Sequence, residues 1–99
     1  MNIKILESAK NDLINSFHFY NNQHKGLGDY FLTNIYSDIE SLRIMGGIHL
    51  KVYKNFHRSL SKRFPFGIYY KIVDDVVCIY AVIDFRRDPD WIQEKLKNI

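Results

Sequence analysis

The stretch Phe66–Trp91, FGIYYKIVDDVVCIYAVIDFRRDPDW, decides the fold. Two runs rich in Val, Ile and Tyr flank Asp74–Asp75, and a cluster of charges closes the second run. β-Branched and aromatic residues favour strands, and a polar pair between them predicts a tight turn, hence an antiparallel hairpin. Alternation then sorts each strand into two faces. Phe66, Ile68, Tyr70 and Ile72 share one side, and Gly67, Tyr69 and Lys71 the other. In the next strand Val77, Ile79, Ala81 and Ile83 lie opposite Cys78, Tyr80, Val82, Asp84 and Arg86. The all-apolar sets are expected to meet helices. The remaining set, Tyr69, Lys71, Tyr80, Val82 and Arg86, is too aromatic for idle solvent surface, so a terminal helix or a partner should cover it.

Working upstream, Pro65 marks a turn because it cannot donate to a ladder, and Asn55–Arg63 reads as an edge or solvent-facing strand. Before it, Gly46–Gly47 closes a helix whose stripe is Phe31, Ile35, Ile39 and Leu42, beginning near Gly28 or Asp29. An earlier helix carries Leu13, Phe17 and Tyr20 on one face, with Ile14 beside them. Ser8 is its expected N-cap, and Asp12 suits the dipole of its first turns. Gly26 and Gly28 break the two helices apart, and so short a link makes them an antiparallel hairpin. IKILE at the N-terminus reads as a short first strand. Downstream, Asp88 and Pro89 are a cap and first helical residue for one or two turns. The order is β-α-α-β-β-β with a short C-terminal helix, an α+β fold with a helix hairpin packed on a twisted antiparallel sheet.

Ninety-nine residues fit one domain, spanning 1–99, and 46% hydrophobic with 15% aromatic residues supplies a core large enough to exclude disorder. The net charge of +3 is too small to imply nucleic acid by itself. Its distribution says more: Lys51, Lys54, Arg58, Lys62 and Arg63 lie between His49 and Arg63 with no carboxylate among them. Such a segment attracts phosphate or an acidic protein, or else serves as a lysine-protected sheet edge. The single cysteine, Cys78, sits within the apolar run and reads as a core thiol. No metal-ligand spacing or cofactor motif appears, so none is expected. No signal peptide or membrane-length run is visible, which makes a cytoplasmic protein the expectation.

His57–Trp91, HRSLSKRFPFGIYYKIVDDVVCIYAVIDFRRDPDW, resembles the C-terminal half of the RelE/ParE family of type II toxin–antitoxin toxins. The matching features are the basic residues ahead of FPF, the IYYKI strand, the acidic turn, and an apolar strand ending in RRDP. Ala9–Phe31, AKNDLINSFHFYNNQHKGLGDYF, resembles the family's helix hairpin. The resemblance implies a growth-inhibiting toxin from a plasmid-stabilisation type of module, neutralised by an acidic antitoxin whose tail folds on binding. The second sheet face and the basic segment from Lys51 to Arg63 are the implied places for that tail.

Two mechanisms divide the family. RelE-like members cleave mRNA on the ribosome, which requires proton transfer and cations around the reacting phosphate. For that chemistry Arg86 matches the arginine at the end of the last strand, Arg58 and Lys62 stand in for family lysines, and His57 is an available imidazole. However, Gly67 replaces a second arginine, and the C-terminal segment has neither Tyr nor His. ParE-like members bind DNA gyrase without catalytic residues, and KRFPFGIYYKI with RRDP is closer to that branch. There Arg86, Arg87 and Trp91 are implied contacts, while Tyr69, Lys71, Tyr80, Val82, Arg58, Lys62 and Arg63 complete the target- or antitoxin-binding surface. A third reading is a decayed toxin that binds antitoxin alone. Local pairing of Arg86 and Arg87 with Asp84, Asp88 or Asp90 is the structural alternative to any working site.

Overall fold

A computed structural model describes residues 1–99. The chain runs β1 (Asn2–Ile5), α1 (Glu7–Gln23), α2 (Leu27–Glu40), α3 (Leu42–Met45), β2 (Lys51–Val52), β3 (Phe56–Leu60), β4 (Phe66–Val73), β5 (Val76–Asp84) and α4 (Pro89–Lys97). The five strands form one sheet in the order β1-β5-β4-β3-β2. The expected β3-β4-β5 meander is antiparallel, and β1 adds a parallel strand beside β5, making the sheet mixed. Alternation in IKILE specifies a strand but not its partner, which is why the parallel pairing escaped the sequence. No helix is long and apolar enough to cross a membrane.

Local chemistry accounts for most boundaries. Asp74 and Asp75 both take left-handed φ, 51° and 62°, as a two-residue hairpin turn matching the strand twist requires. Gly26 supplies the left-handed residue, φ 89°, between α1 and α2. Gly28 serves a different purpose: a Cβ there would lie 2.7 Å from the Phe17 ring and carbonyl, so its absence lets the helices touch. Asp88 caps α4 by accepting from the Asp90 N–H at 2.8 Å, with Pro89 in the first turn. Ser8, by contrast, does not cap α1, and Asp12 lies beyond its first turn, which carries Glu7 instead. Leu6 holds the N-cap position, and the Ser8 and Asp12 side chains both turn toward β5.

One irregularity in β5 redistributes the faces. Tyr69 pairs with Ala81 and Tyr70 with Ile79, leaving Tyr80 as an extra residue. A bulge of this kind reverses the inward–outward parity beyond it. Phe66, Ile68, Tyr70, Val77, Ile79 and Val82 therefore pack with Leu13, Phe31, Ile35, Ile39 and Leu42 in the main core. Ala81 and Ile83 join Phe56, Tyr69, Ile92 and Leu96 in a second cluster under α4. The expected placement of Val82 on the second face, and of Ala81 and Ile83 in the hairpin core, is thus reversed. Strict alternation fails at Tyr80. Within the main core Phe31 is the hub, with ring centroids 4.9 to 5.0 Å from Phe66, Phe64 and Tyr20.

Candidate functional site

Two regions concentrate the residues that sequence nominated. The first is the sheet face that α4 partly covers. Tyr69 is fully buried there, and its hydroxyl has no hydrogen-bond partner. Burial pushes the phenol pKa up, and the neighbouring Arg58 guanidinium moderates that effect. Gly67 explains the ring's position, since a Cβ there would meet it at 2.9 Å. An arginine at 67 and this tyrosine conformation are mutually exclusive. Lys71 rests its ammonium 4.4 Å from the Phe56 ring centroid and 5.4 Å from that of Tyr80. Arg58 lies opposite Tyr69 in the ladder, half-buried. Neither Arg58 nor Lys71 belongs to any of the ion pairs, which join Arg43 to Glu40, Arg86 to Asp84, and Lys95 to Asp12.

His57 does not join this group. Alternation turns it to the opposite face from Arg58, where it stacks on Tyr70 with centroids 4.9 Å apart and Nδ1 2.7 Å from the His49 carbonyl. At 9% exposure it fixes the β2–β3 corner rather than facing a substrate. His49 accepts or donates at Nδ1 to the Tyr70 hydroxyl, 2.6 Å away, and burial with the nearby His57 lowers its pKa. Lys62 and Arg63 are exposed in the β3–β4 turn, which is anchored by Asp38 accepting from the Ser61 hydroxyl at 2.7 Å. The nuclease set Arg86, Arg58, Lys62 and His57 is therefore not assembled at one point.

The second region lies where β5 ends. Beyond Ile79, the last residue paired with β1, β5 continues to Asp84 with no strand on its outer side. Helix α1 supplies substitutes: the Ser8 hydroxyl donates to the Tyr80 carbonyl at 2.6 Å, and Asp12 accepts from the Val82 N–H at 2.9 Å. Lys95 of α4 completes this joint, 2.7 Å from the other Asp12 oxygen. Burial raises the Asp12 pKa, and Lys95 and the Val82 N–H offset part of that rise. A signal for Asp12 was present in the sequence: with Ala9, Leu13 and Tyr20 it lies on the buried stripe of α1.

At the strand exit the two arginines differ. Arg86 grips Asp84 twice, Nε to Oδ1 at 3.0 Å and Nη2 to Oδ2 at 2.7 Å, and its own N–H donates to Oδ1 at 2.9 Å. The Arg86 hydrogen bonds hold the Asp84 carboxyl below the usual range. Arg86 therefore follows Asp84, beyond the strand end, and not the Tyr80 face expected for it. Arg87 has no carboxylate partner and stacks on Trp91, its guanidinium carbon 4.1 Å from the ring centroid. Arg87, Trp91 and Asp84, with Phe19, Asn15 and Ser16 of α1, line a cleft of about 420 Å³ floored by Phe66 and Val82. Phe19, Asn15 and Ser16 went unnominated because nothing in linear order joins them to Arg87.

No family model and no curated protein matches the sequence. Among solved structures, a chain of the chromosomal ParDE TA system from P. aeruginosa superposes with a TM-score of 0.76 at 14% identity, covering 85% of this chain and 95% of that one. With the helix hairpin on a mixed sheet already described, the likeness shows that this chain shares the fold of that one.

Proposed function

We propose that this chain is the toxin of a toxin–antitoxin pair, held inactive by an antitoxin and acting, in the ParE-like manner, by binding and inhibiting DNA gyrase. The observation that carries the non-catalytic reading is the separation of Arg86, Arg58 and His57. One is tied to Asp84 at the strand exit, and the other two occupy opposite faces of β3. General acid–base chemistry needs such groups within hydrogen-bond reach of one reacting atom. Protein recognition needs exposed aromatic and arginine anchors, and Arg87 on Trp91 supplies them. The acidic antitoxin tail suits the unpaired cations Arg58 and Lys71 together with the exposed Lys62 and Arg63.

A RelE-like endoribonuclease is the second reading. It is favoured by one observation, the unpaired Arg58 in the ladder position opposite Tyr69, whose buried hydroxyl has no partner, with Lys71 on the same sheet face. Controlled expression in bacteria separates the readings. Filamentation and a DNA-damage response without transcript cleavage support gyrase inhibition. Rapid translational arrest with cut transcripts supports the nuclease, and unimpaired growth supports a chain that retains antitoxin binding alone.

A further inference from the structure

We infer that the cleft between α1 and the β5–α4 turn is a docking pocket for an extended peptide segment carrying a bulky apolar side chain next to a carboxylate. The inference rests on reading Arg87 and Trp91 as contact residues, and it goes on to the chemistry of what they contact.

Charge accounting inside the cleft selects the ligand class. Its four charged lining residues are Asp12, Asp84, Arg87 and Lys95. Lys95 is consumed by Asp12, and Asp84 by Arg86 just outside the lining. Arg87 alone makes no ion pair, although its charge reaches the Asp84 carboxylate that Arg86 holds, and its position is fixed by the Trp91 ring. One uncompensated cation suits one carboxylate. It does not suit a nucleic-acid backbone, which is bound by a series of unpaired cations spaced along the chain of phosphates. The two walls are aromatic and open to solvent, Phe19 at 59% and Trp91 at 41% exposure, above the apolar floor of Phe66 and Val82. A volume of about 420 Å³ accommodates one large side chain with its neighbouring main chain. Ser8 and Asp12 of α1 take up the outer edge of β5 at Tyr80 and Val82, and only its last stretch, Ile83–Asp84 at the cleft, has no strand beside it for a short extended segment to follow.

Selection from a displayed library of random short peptides against the full chain tests this, with fluorescence of Trp91, the sole tryptophan, as the binding readout. The expected consensus is an aromatic or large aliphatic residue adjoining Asp or Glu. Arg87→Glu and Phe19→Ser should each weaken a selected peptide by about tenfold or more, and Asp→Asn within the peptide should do the same. Lys4→Glu, exposed on β1 beside the opposite end of β5, should leave binding unchanged, and melting curves confirm that each variant is folded. No acidic–apolar consensus, or a consensus insensitive to both cleft substitutions, overturns the inference. Quenching of Trp91 by a single-stranded oligonucleotide in place of the peptides, or a concentration-dependent dimer abolished by Phe19→Ser, also overturns it. A failed selection from a protein that still arrests growth removes the peptide pocket and leaves the toxin reading standing. Successful selection from a protein that harms no cell does the reverse.

Discussion

Arg86 closes a bidentate ring on Asp84, with nitrogen–oxygen distances of 2.7 and 3.0 Å, two residues after the carboxylate that ends β5. That pairing occupies the arginine that sequence favoured as the working residue and leaves Arg87 as the accessible cation. Exposed pairs of this kind contribute little to stability, so Arg86→Ala should leave the urea-denaturation midpoint close to that of wild type. In the toxin reading, Arg87→Glu should abolish most growth inhibition while leaving the melting temperature within about 2 °C of wild type. Equal toxicity of the Arg87→Glu variant, at matched expression, would assign contact to another surface.

The joint of Asp12, Val82 and Lys95 fastens α4 to the free edge of β5. Removing Lys95 leaves a buried carboxylate with one backbone donor, so Lys95→Met should destabilise the chain by about 2 kcal/mol. Denaturant midpoints with unchanged slope would report that loss.

The same joint gives a pH signature. The folded pKa of Asp12 is raised by burial, so the folded chain holds this proton more tightly than the unfolded chain. Stability from Asp12 is fully present below the ordinary carboxylate pKa and is lost as pH rises through the raised folded value. Asp84 has the opposite sign: its depressed pKa contributes stability above the ordinary value, and this is lost as pH falls through the folded one. Subtracting the Asp12→Asn stability curve from the wild-type curve should give a difference that declines with pH across that upper window and is flat beyond it. A difference that rises with pH there would reverse the assignment.

Tyr69 and Gly67 make a paired test of the face beneath α4. Tyr69→Phe removes a hydroxyl with no partner and should be neutral or stabilising, by up to about 1 kcal/mol. Gly67→Ala forces a methyl group toward the same ring and should cost about 1 to 3 kcal/mol. Thermal melts of both variants check the pair. The gyrase reading further requires that Tyr69→Phe keep full growth inhibition, whereas a nuclease using that hydroxyl would lose activity.

The elements most readable from sequence are those whose signals are local. The stripe Phe31, Ile35, Ile39 and Leu42 is buried throughout, because helical spacing fixes which side chains share a face. The Asp74–Asp75 turn and the Asp88–Pro89 helix start also follow from residue chemistry at the site itself. Non-local geometry was not legible. One bulged residue, Tyr80, reversed the faces of everything after it, moving Val82 into the hairpin core and Ala81 and Ile83 beneath α4. The two-residue β2 was hidden by Tyr53, Lys54 and Asn55, all with left-handed φ that no composition rule anticipates. Ser8 and Asp12 have the right residue types for helix starts, yet the unpaired edge of β5 claims them. Arg87, Trp91 and Phe19 meet only through tertiary structure. The sequence therefore named three members of the cleft, Arg87, Trp91 and Val82, without its opposite wall.

The central claim is inhibition of gyrase by binding. Its most direct test adds the purified chain to bacterial DNA gyrase and measures supercoiling and enzyme-linked DNA breaks. The account predicts lost supercoiling or accumulated breaks, reversed by the antitoxin and absent with Arg87→Glu. Unaffected gyrase, together with ribosome-dependent cleavage of mRNA by the same preparation, would contradict it.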